Sequence, residues 1–234
     1  MDQLKLIVSG YDRYEGVEVN PSLEVARALA EQGVPALSSQ DAGEDPLEGL
    51  DLQIRAVTLP ISFGKAWPIL HEAIEDFQPN IVISTGLKRS ARSIALERCA
   101  VNLKDANTES GAGQSHASSQ RVPIAPEGPA AYWTRLPLRA ILHAFAQDNI
   151  AATLSSDAGT YVCNAVFYSL LNWTRSHPEV LAGFVSLPPV VDTVPATERT
   201  QGLPVQQQVR AGQDVVREVV RYYRRPSSGD MLIA

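Results

Sequence analysis

Short apolar runs recur along the chain, and each is followed by a stretch with helical spacing. The runs are LKLIVSG (4–10), IRAVTLPIS from Ile54, NIVISTG (80–86), the segment from Ile94 in RSIALERCAVNL, AATLSS (151–156) and LAGFVSLP (181–188). A strand that is apolar along its length is buried on both faces, as strands of parallel sheets are. Between the runs, Pro21-Ser22 opens SLEVARALAEQG, with Leu23, Val25, Ala26 and Leu29 on one side and Gly33 as the stop. AWPILHEAIEDFQ (66–78), the stretch 137–148, GTYVCNAVFYSLLNWTRS (159–176) and VQQQVRAGQDVVREVVRYYRR (205–225) have the same amphipathic spacing. Alternating strands and helices predict one α/β domain over residues 1–234, a three-layer α/β/α fold around a mostly parallel, twisted sheet. The exception is the Gly-, Ser-, Pro- and Ala-rich stretch 104–131, which reads either as a functional loop near a site or as a surface insertion.

Composition narrows the function classes. The chain is 44% apolar and 20% charged, and no run approaches a membrane span, so no membrane association is expected. A net charge of −6 with scattered basic residues excludes a nucleic-acid footprint. MDQLKLIVSGYD does not read as a signal peptide. The two cysteines, Cys99 and Cys163, lie far apart, which fits neither a disulfide framework nor a CxxC metal site. The expected location is a reducing cytoplasm. No metal-ligand spacing and no phosphate loop is present, so no metal and no cofactor is expected.

Two constellations carry chemistry. Cys163 follows the strand AATLSS and the turn Asp157-Ala158-Gly159, in the first turn of the next helix. Free N–H groups and the helix dipole there favour a thiolate and can hold a developing oxyanion. The other reading is a buried packing cysteine. In Leu96-Glu97-Arg98-Cys99, a carboxylate interrupts an apolar strand. Either Glu97 faces water beside Arg98, or it belongs to a site; a regular strand puts Cys99 on its face, as packing.

The residues resemble the pyroglutamyl peptidase I family of cysteine peptidases. Gly10 through Ser22, GYDRYEGVEVNPS, is similar to that family's GFGPFGG…NPS segment, and Leu59-Pro60-Ile61-Ser62-Phe63 to its LPVSY. Gly86-Leu87 with LERCAVN (96–102) resembles GL…LERVAVN, and Gly128-Pro129-Ala130-Ala131-Tyr132 with Leu136-Pro137 resembles GPAAYFSTLP. AGTYVCN (158–164) matches the nucleophile motif, and Ala182-Gly183-Phe184-Val185 the start of AGFIHVP.

The resemblance implies a Cys–His–Glu site with Cys163 as nucleophile and Glu97 as the acid that orients the histidine. Tyr11, Arg13, Tyr14, Asn20 and Phe63 would contact the substrate, a small molecule or short peptide, and the chain would form a homo-oligomer. Ser186 stands where the family histidine is expected. A hydroxyl is not a useful base near neutral pH, and the lost acid–base help is worth ~10²–10⁴-fold. Tyr11-Asp12-Arg13-Tyr14-Glu15 also puts charges in the family's aromatic pocket loop, and Ala91 stands for its arginine, with Arg89 and Arg92 nearby. Of the four histidines, His71 and His143 read as helix-surface residues and His177 as a loop residue. His116, in the long loop, is the remaining candidate base. These features imply a divergent cysteine enzyme of specialised metabolism, performing acyl transfer, cyclisation or hydrolysis on a small polar substrate. The alternatives are an impaired pyroglutamyl peptidase and a non-catalytic binding or scaffold protein.

Overall fold

In the computed structural model, residues 2–14, 16–37, 44–105, 121–191 and 202–231 are described. The strands are β1 (Asp2–Tyr11), β2 (Leu50–Leu59), β3 (Ile81–Leu87), β4 (Ile94–Glu97), β5 (Cys99–Val101), β6 (Lys104–Asp105), β7 (Arg121–Val122), β8 (Ala131–Trp133), β9 (Ala152–Ser155) and β10 (Leu181–Leu187). The helices are α1 (Pro21–Gln32), α2 (Ala66–Phe77), α3 (Leu138–Gln147), α4 (Val162–Trp173) and α5 (Val205–Arg224).

Six strands form the central sheet in the order β2-β1-β3-β10-β4-β9. All neighbours are parallel except β10 and β4, where Phe184 faces Glu97 and Ser186 faces Ala95. The sheet is therefore mainly parallel, with its β4–β9 end reversed. β1 shows why both faces are covered. Leu4, Leu6 and Val8 pack with residues of α1, α3 and α5, whereas Ile7 and Tyr11 pack with residues of α2 and α4. Successive side chains of a strand point to opposite faces, so one run of apolar residues feeds two cores. These are the three layers of an α/β/α fold. No helix among the described residues is long and apolar enough to cross a membrane.

Helix α1 begins as its sequence requires, with Pro21 in the first turn and the Asn20 side chain accepting from the Ser22 N–H. Two expectations differ from the structure. β2 starts at Leu50 rather than Ile54, because its polar first half is held by ladder bonding along the whole of β1, from Asp2↔Leu50 onward. The strand expected to continue through 94–103 breaks at Arg98. There the Arg98 N–H donates to the Ser155 carbonyl at 2.7 Å and its own carbonyl accepts from the Thr134 N–H at 2.8 Å. β4 thus stays in the main sheet, while β5 leaves it to pair with β8, with Cys99 opposite Trp133.

The long stretch 104–131 contributes the antiparallel pair β6–β7 at its base. Residues 106–120, with His116, lie outside the described residues.

Candidate functional site

Cys163 is the second residue of α4. Three local interactions place it there. The Gly159 N–H donates to Asp157 Oδ1 at 2.9 Å, closing an Asx turn in which Gly159 takes φ +77°, a conformation that favours glycine. Thr160 Oγ1 donates to Asp105 Oδ2 at 2.8 Å, tying the turn to the base of the long loop. The buried Asn164 side chain accepts from the Val101 N–H at 3.0 Å and donates to the carbonyls of Val101 and Leu103, both at 2.9 Å. That amide locks the first turn of α4 onto β5. In the sequence Asn164 is visible only as the last residue of the AGTYVCN motif, and nothing there marks its structural part.

The Cys163 sulfur rests against the C-terminal end of β3. A Cβ on Gly86 would lie 2.8 Å from Sγ and 2.8 Å from Phe184 Cζ, so only glycine leaves room for the sulfur. Gly86 is paired in register with Ser186 on β10. Ser186 Oγ in turn donates to Glu97 Oε1 at 2.7 Å. Glu97 is fully buried at 0% exposure and Ser186 is 5% exposed. The alternative of a solvent-facing Glu97 is therefore corrected, since its strand is covered on both faces. Cys163, Ser186 and Glu97 converge across three strand ends and one helix start.

A buried carboxylate needs compensation. Lys88, one residue past β3, supplies it. Its Nζ donates to Glu97 Oε1 at 3.3 Å, to Ser155 Oγ at 3.2 Å and to the Asp157 carbonyl at 2.7 Å. The lysine thus links the acid to the turn before Cys163. Sequence reasoning missed it, and no spacing rule could have revealed a contact made across β3, β4 and β9. Glu97 Oε2 is buried and accepts no hydrogen bond among the described residues.

The electrostatics run against the expected thiolate. Burial pushes the Cys163 thiol up to about 12, a hydrogen bond with Tyr11 pulls it down, the Glu97 charge raises it, and its own backbone N–H lowers it. The helix terminus acts in the expected direction, but burial outweighs it. Cys99 is also raised by burial, and its S–H points to the Ser156 carbonyl at 3.7 Å. It lies on β5 opposite Trp133 of β8, and its thiol is bonded to the chain segment that Lys88 ties to Glu97.

The residues expected to bind substrate separate into two groups. Tyr14 lies beneath Arg89, whose guanidinium carbon is 5.7 Å from the ring centroid, and Arg89 is fixed by the Gly16 carbonyl at 2.8 Å. Phe63 meets Tyr161, the residue before α4, edge-on at 5.5 Å. Phe63 and Tyr161 thus form an aromatic pair at the start of α4; burial raises the Tyr14 hydroxyl, Arg89 lowers it, and the nearby Cys163 and Tyr161 raise it further.

The other three are engaged by the fold. Asn20 is fully buried and its amide is consumed by the fold: Nδ2 donates to the Asp12 carbonyl at 3.0 Å and Oδ1 accepts from the Ser22 N–H and hydroxyl. Arg13 turns outward to Glu24 on α1 at 3.7 Å. Tyr11 is 1% exposed, enclosed between β1 and α4 rather than open to a ligand. Among the described histidines, His71 pairs with Glu75 at 3.6 Å and His177 stacks on Trp173 at 3.8 Å. His143 lies on α3, in the layer opposite α4. No group of residues that could hold a metal ion occurs among the described residues.

This arrangement can be set beside known proteins. The family model for pyroglutamyl peptidase matches residues 4–222. The pyrrolidone-carboxylate peptidase of Pseudomonas fluorescens is 34% identical over 194 residues, 83% of each chain. That of Yersinia pestis is 35% identical over 185 residues, 79% of this chain and 78% of the relative. Among solved structures, pyrrolidone carboxyl peptidase from Thermococcus litoralis superposes with a TM-score of 0.80 at 26% identity, covering 99% of both chains. Pyroglutamyl peptidase I from Bacillus amyloliquefaciens gives 0.77 at 29% identity, covering 94% of this chain and 98% of the other. The match runs through β1, the Gly86 strand end, Glu97 and the Cys163 helix alike, and the chain belongs to the pyroglutamyl peptidase family of cysteine peptidases.

Proposed function

We propose that this chain performs cysteine-dependent acyl chemistry through Cys163 on a short peptide or small polar substrate, and that it removes N-terminal pyroglutamate only slowly. The observation that carries this reading is the convergence of Cys163, Glu97 and Ser186, with a hydroxyl bonded to the acid at 2.7 Å. The nucleophile is held at a helix start and the acid is buried beside it, but the site holds no imidazole among the described residues.

The chemistry follows from that gap. The Cys163 thiol loses its proton to solvent base, its sulfur attacks an acyl carbon, a C–S bond forms, and the bond to the leaving group breaks with its electron pair. An amine must be protonated as it leaves, and Ser186 is a poor acid for that step. The thiolate of a thioester and the phenolate of an aryl ester leave as anions without such help, so acylation from these, followed by transfer to an amine, is favoured over amide hydrolysis. Water is equally poorly activated, which prolongs the acyl-enzyme.

A second reading, recognition without turnover, is favoured by the thiol pushed up to about 12 and by a Glu97 already engaged by Lys88 and Ser186. One experiment separates the two. The protein is incubated with a pyroglutamyl p-nitrophenyl ester and with the pyroglutamyl anilide, and its intact mass is followed. A stable acyl adduct on Cys163, absent in Cys163→Ser, with slow anilide cleavage supports acyl chemistry. Saturable binding of the anilide with no adduct from either compound supports recognition alone.

A further inference from the structure

Lys104 is held beside the nucleophile by anchors on both sides of it. The carbonyl of Leu103, the residue before it, accepts from the Asn164 amide at 2.9 Å. The N–H of Asp105, the residue after it, donates to the Thr160 carbonyl at 3.0 Å. Thr160 and Asn164 bracket Tyr161-Val162-Cys163, so β6 lies against the start of α4. From there the Lys104 side chain reaches the Phe63 ring, with Nζ 5.6 Å from its centroid, and Phe63 in turn meets Tyr161 edge-on at 5.5 Å. Lys104 is half-buried, and among the described residues its ammonium has neither an ion pair nor a hydrogen bond.

We propose that Lys104 is a specificity-determining residue, and that the acyl donor of this chain carries a carboxylate which the ammonium receives beside Cys163. The substrate class is then an anionic acyl donor rather than a neutral one. This rests on Cys163 being the reacting group, as in the proposed function.

The charges around Lys104 leave it open to a ligand. Asp105 accepts from Thr160 Oγ1 at 2.8 Å and pairs with Arg121 at 3.4 Å, and Asp157 accepts from the Gly159 N–H. No acidic residue stands in the first turn of α4. The other lysine tied to this region, Lys88, is committed to Glu97. The Phe63 ring attracts the ammonium and holds it in place without neutralising it, because a ring carries no formal charge. A carboxylate arriving there gains a charge-assisted bond that a neutral acyl group cannot make. The chain as a whole bears a net charge of −6, which disfavours anions at long range. A preference for an anionic reagent at Cys163 therefore has a local source.

The test uses the full chain and a matched pair of alkylating probes, bromoacetyl-γ-aminobutyrate and its carboxamide, which differ only in charge. The thiol proton is lost to solvent base, the Cys163 sulfur attacks the methylene carbon, an S–C bond forms and bromide leaves. Peptide mapping gives the Cys163 rate with each probe in wild type, Lys104→Met, Lys104→Glu and Lys104→Arg. Any effect of Lys104 on the thiol itself acts on both probes and cancels in the anionic-to-neutral rate ratio. That ratio should fall about three- to fivefold in Lys104→Met, the size of a partly exposed ion pair. It should fall further in Lys104→Glu and be retained in Lys104→Arg, a pattern that a merely packing side chain would not produce. Salt at about 1 M should bring the wild-type ratio down towards that of Lys104→Met, because screening then acts over a few ångströms. The same ratio in wild type and Lys104→Met would overturn the assignment. If the variants fail to fold, the salt dependence of the wild-type ratio decides, and a flat ratio overturns it. Absence of an acyl adduct with the activated ester overturns the proposed function instead, and leaves the alkylation ratio intact.

Discussion

Ser186 and Glu97 are joined by a 2.7 Å hydrogen bond in which the serine hydroxyl is the donor and the carboxylate the acceptor. The carboxylate therefore has the partner that a base would otherwise occupy, and the serine contributes no basicity to Cys163. Its neighbours across the sheet are Gly86 and Ala95, both small.

Ser186→His is expected to place an imidazole between Glu97 and Cys163. An imidazolium beside the sulfur lowers the thiol from its present value of about 12. Iodoacetamide alkylation of Cys163 at neutral pH should rise at least tenfold. Pyroglutamyl-anilide cleavage should rise by up to ~10²-fold, the lower part of what a positioned acid–base group supplies. An unchanged alkylation profile would show that the imidazole does not reach the sulfur.

Gly86→Ala tests how the sulfur is seated. The new Cβ would lie 2.8 Å from both Cys163 Sγ and Phe184 Cζ, closer than real contacts allow. Either the sulfur or the β10 ring must shift, at a cost of about 1–3 kcal/mol in stability. We expect a lower Tm together with a changed alkylation rate of Cys163. Wild-type values for both would mean that the sulfur has free space elsewhere.

Much of this site was legible in the sequence, and the illegible parts share a physical cause. Alternating apolar runs and amphipathic helices determine an α/β sandwich because buried strands and one-sided helices have few other ways to cover their apolar surfaces. Cys163 at a helix start follows from the turn residues Asp157 and Gly159, which act locally. The β4–β5 break at Arg98 does not, because it depends on acceptors and donors supplied by Ser155 and Thr134, distant in sequence. Lys88 is hidden for the same reason. The polar first half of β2 looks like a loop until β1 pairs with it. Asn20 shows the opposite difficulty: it stands in a site-like motif, but a helix cap uses up its amide.

Lys88→Met should expose the cost of burying Glu97. Lys88 forms the ion pair with this carboxylate, and its side chain is partly exposed while Glu97 is fully covered. Removing one partner of such a pair leaves an uncompensated buried charge. With the lysine's partial exposure taken into account, a loss of about 1–3 kcal/mol is expected. Adding Glu97→Gln in the Lys88→Met background should recover part of that loss. A double-mutant cycle by urea denaturation measures the coupling, and strictly additive effects would show that the pair contributes nothing.

The last prediction concerns stability against pH and lies away from the cysteine, between α3 and α5. Asp214 on α5 is buried, and its carboxyl is pushed up to about 7, first by burial and then by the neighbouring Asp148, the residue that caps α3. Asp148 moves the other way, held below its usual range chiefly by its hydrogen bond with Arg210 at 2.6 Å. The charged groups around Asp214 are Arg210 and Arg217 on its own helix and Asp148 at the C-terminal cap of α3, with Arg217 Nη1 3.4 Å from Asp214 Oδ1. Because the folded value lies above the ordinary 3.8, the folded state holds more protons between those two values. Stability contributed by this group therefore falls as pH rises from about 4 to about 7, and levels off above that. Asp214→Asn should flatten the decline. Allowing for solvent screening and for the charge on Asp148, the variant should gain about 1 kcal/mol on wild type between pH 5 and pH 8. Urea denaturation at the two pH values measures the difference, and parallel pH dependence in both proteins would place the buried proton elsewhere.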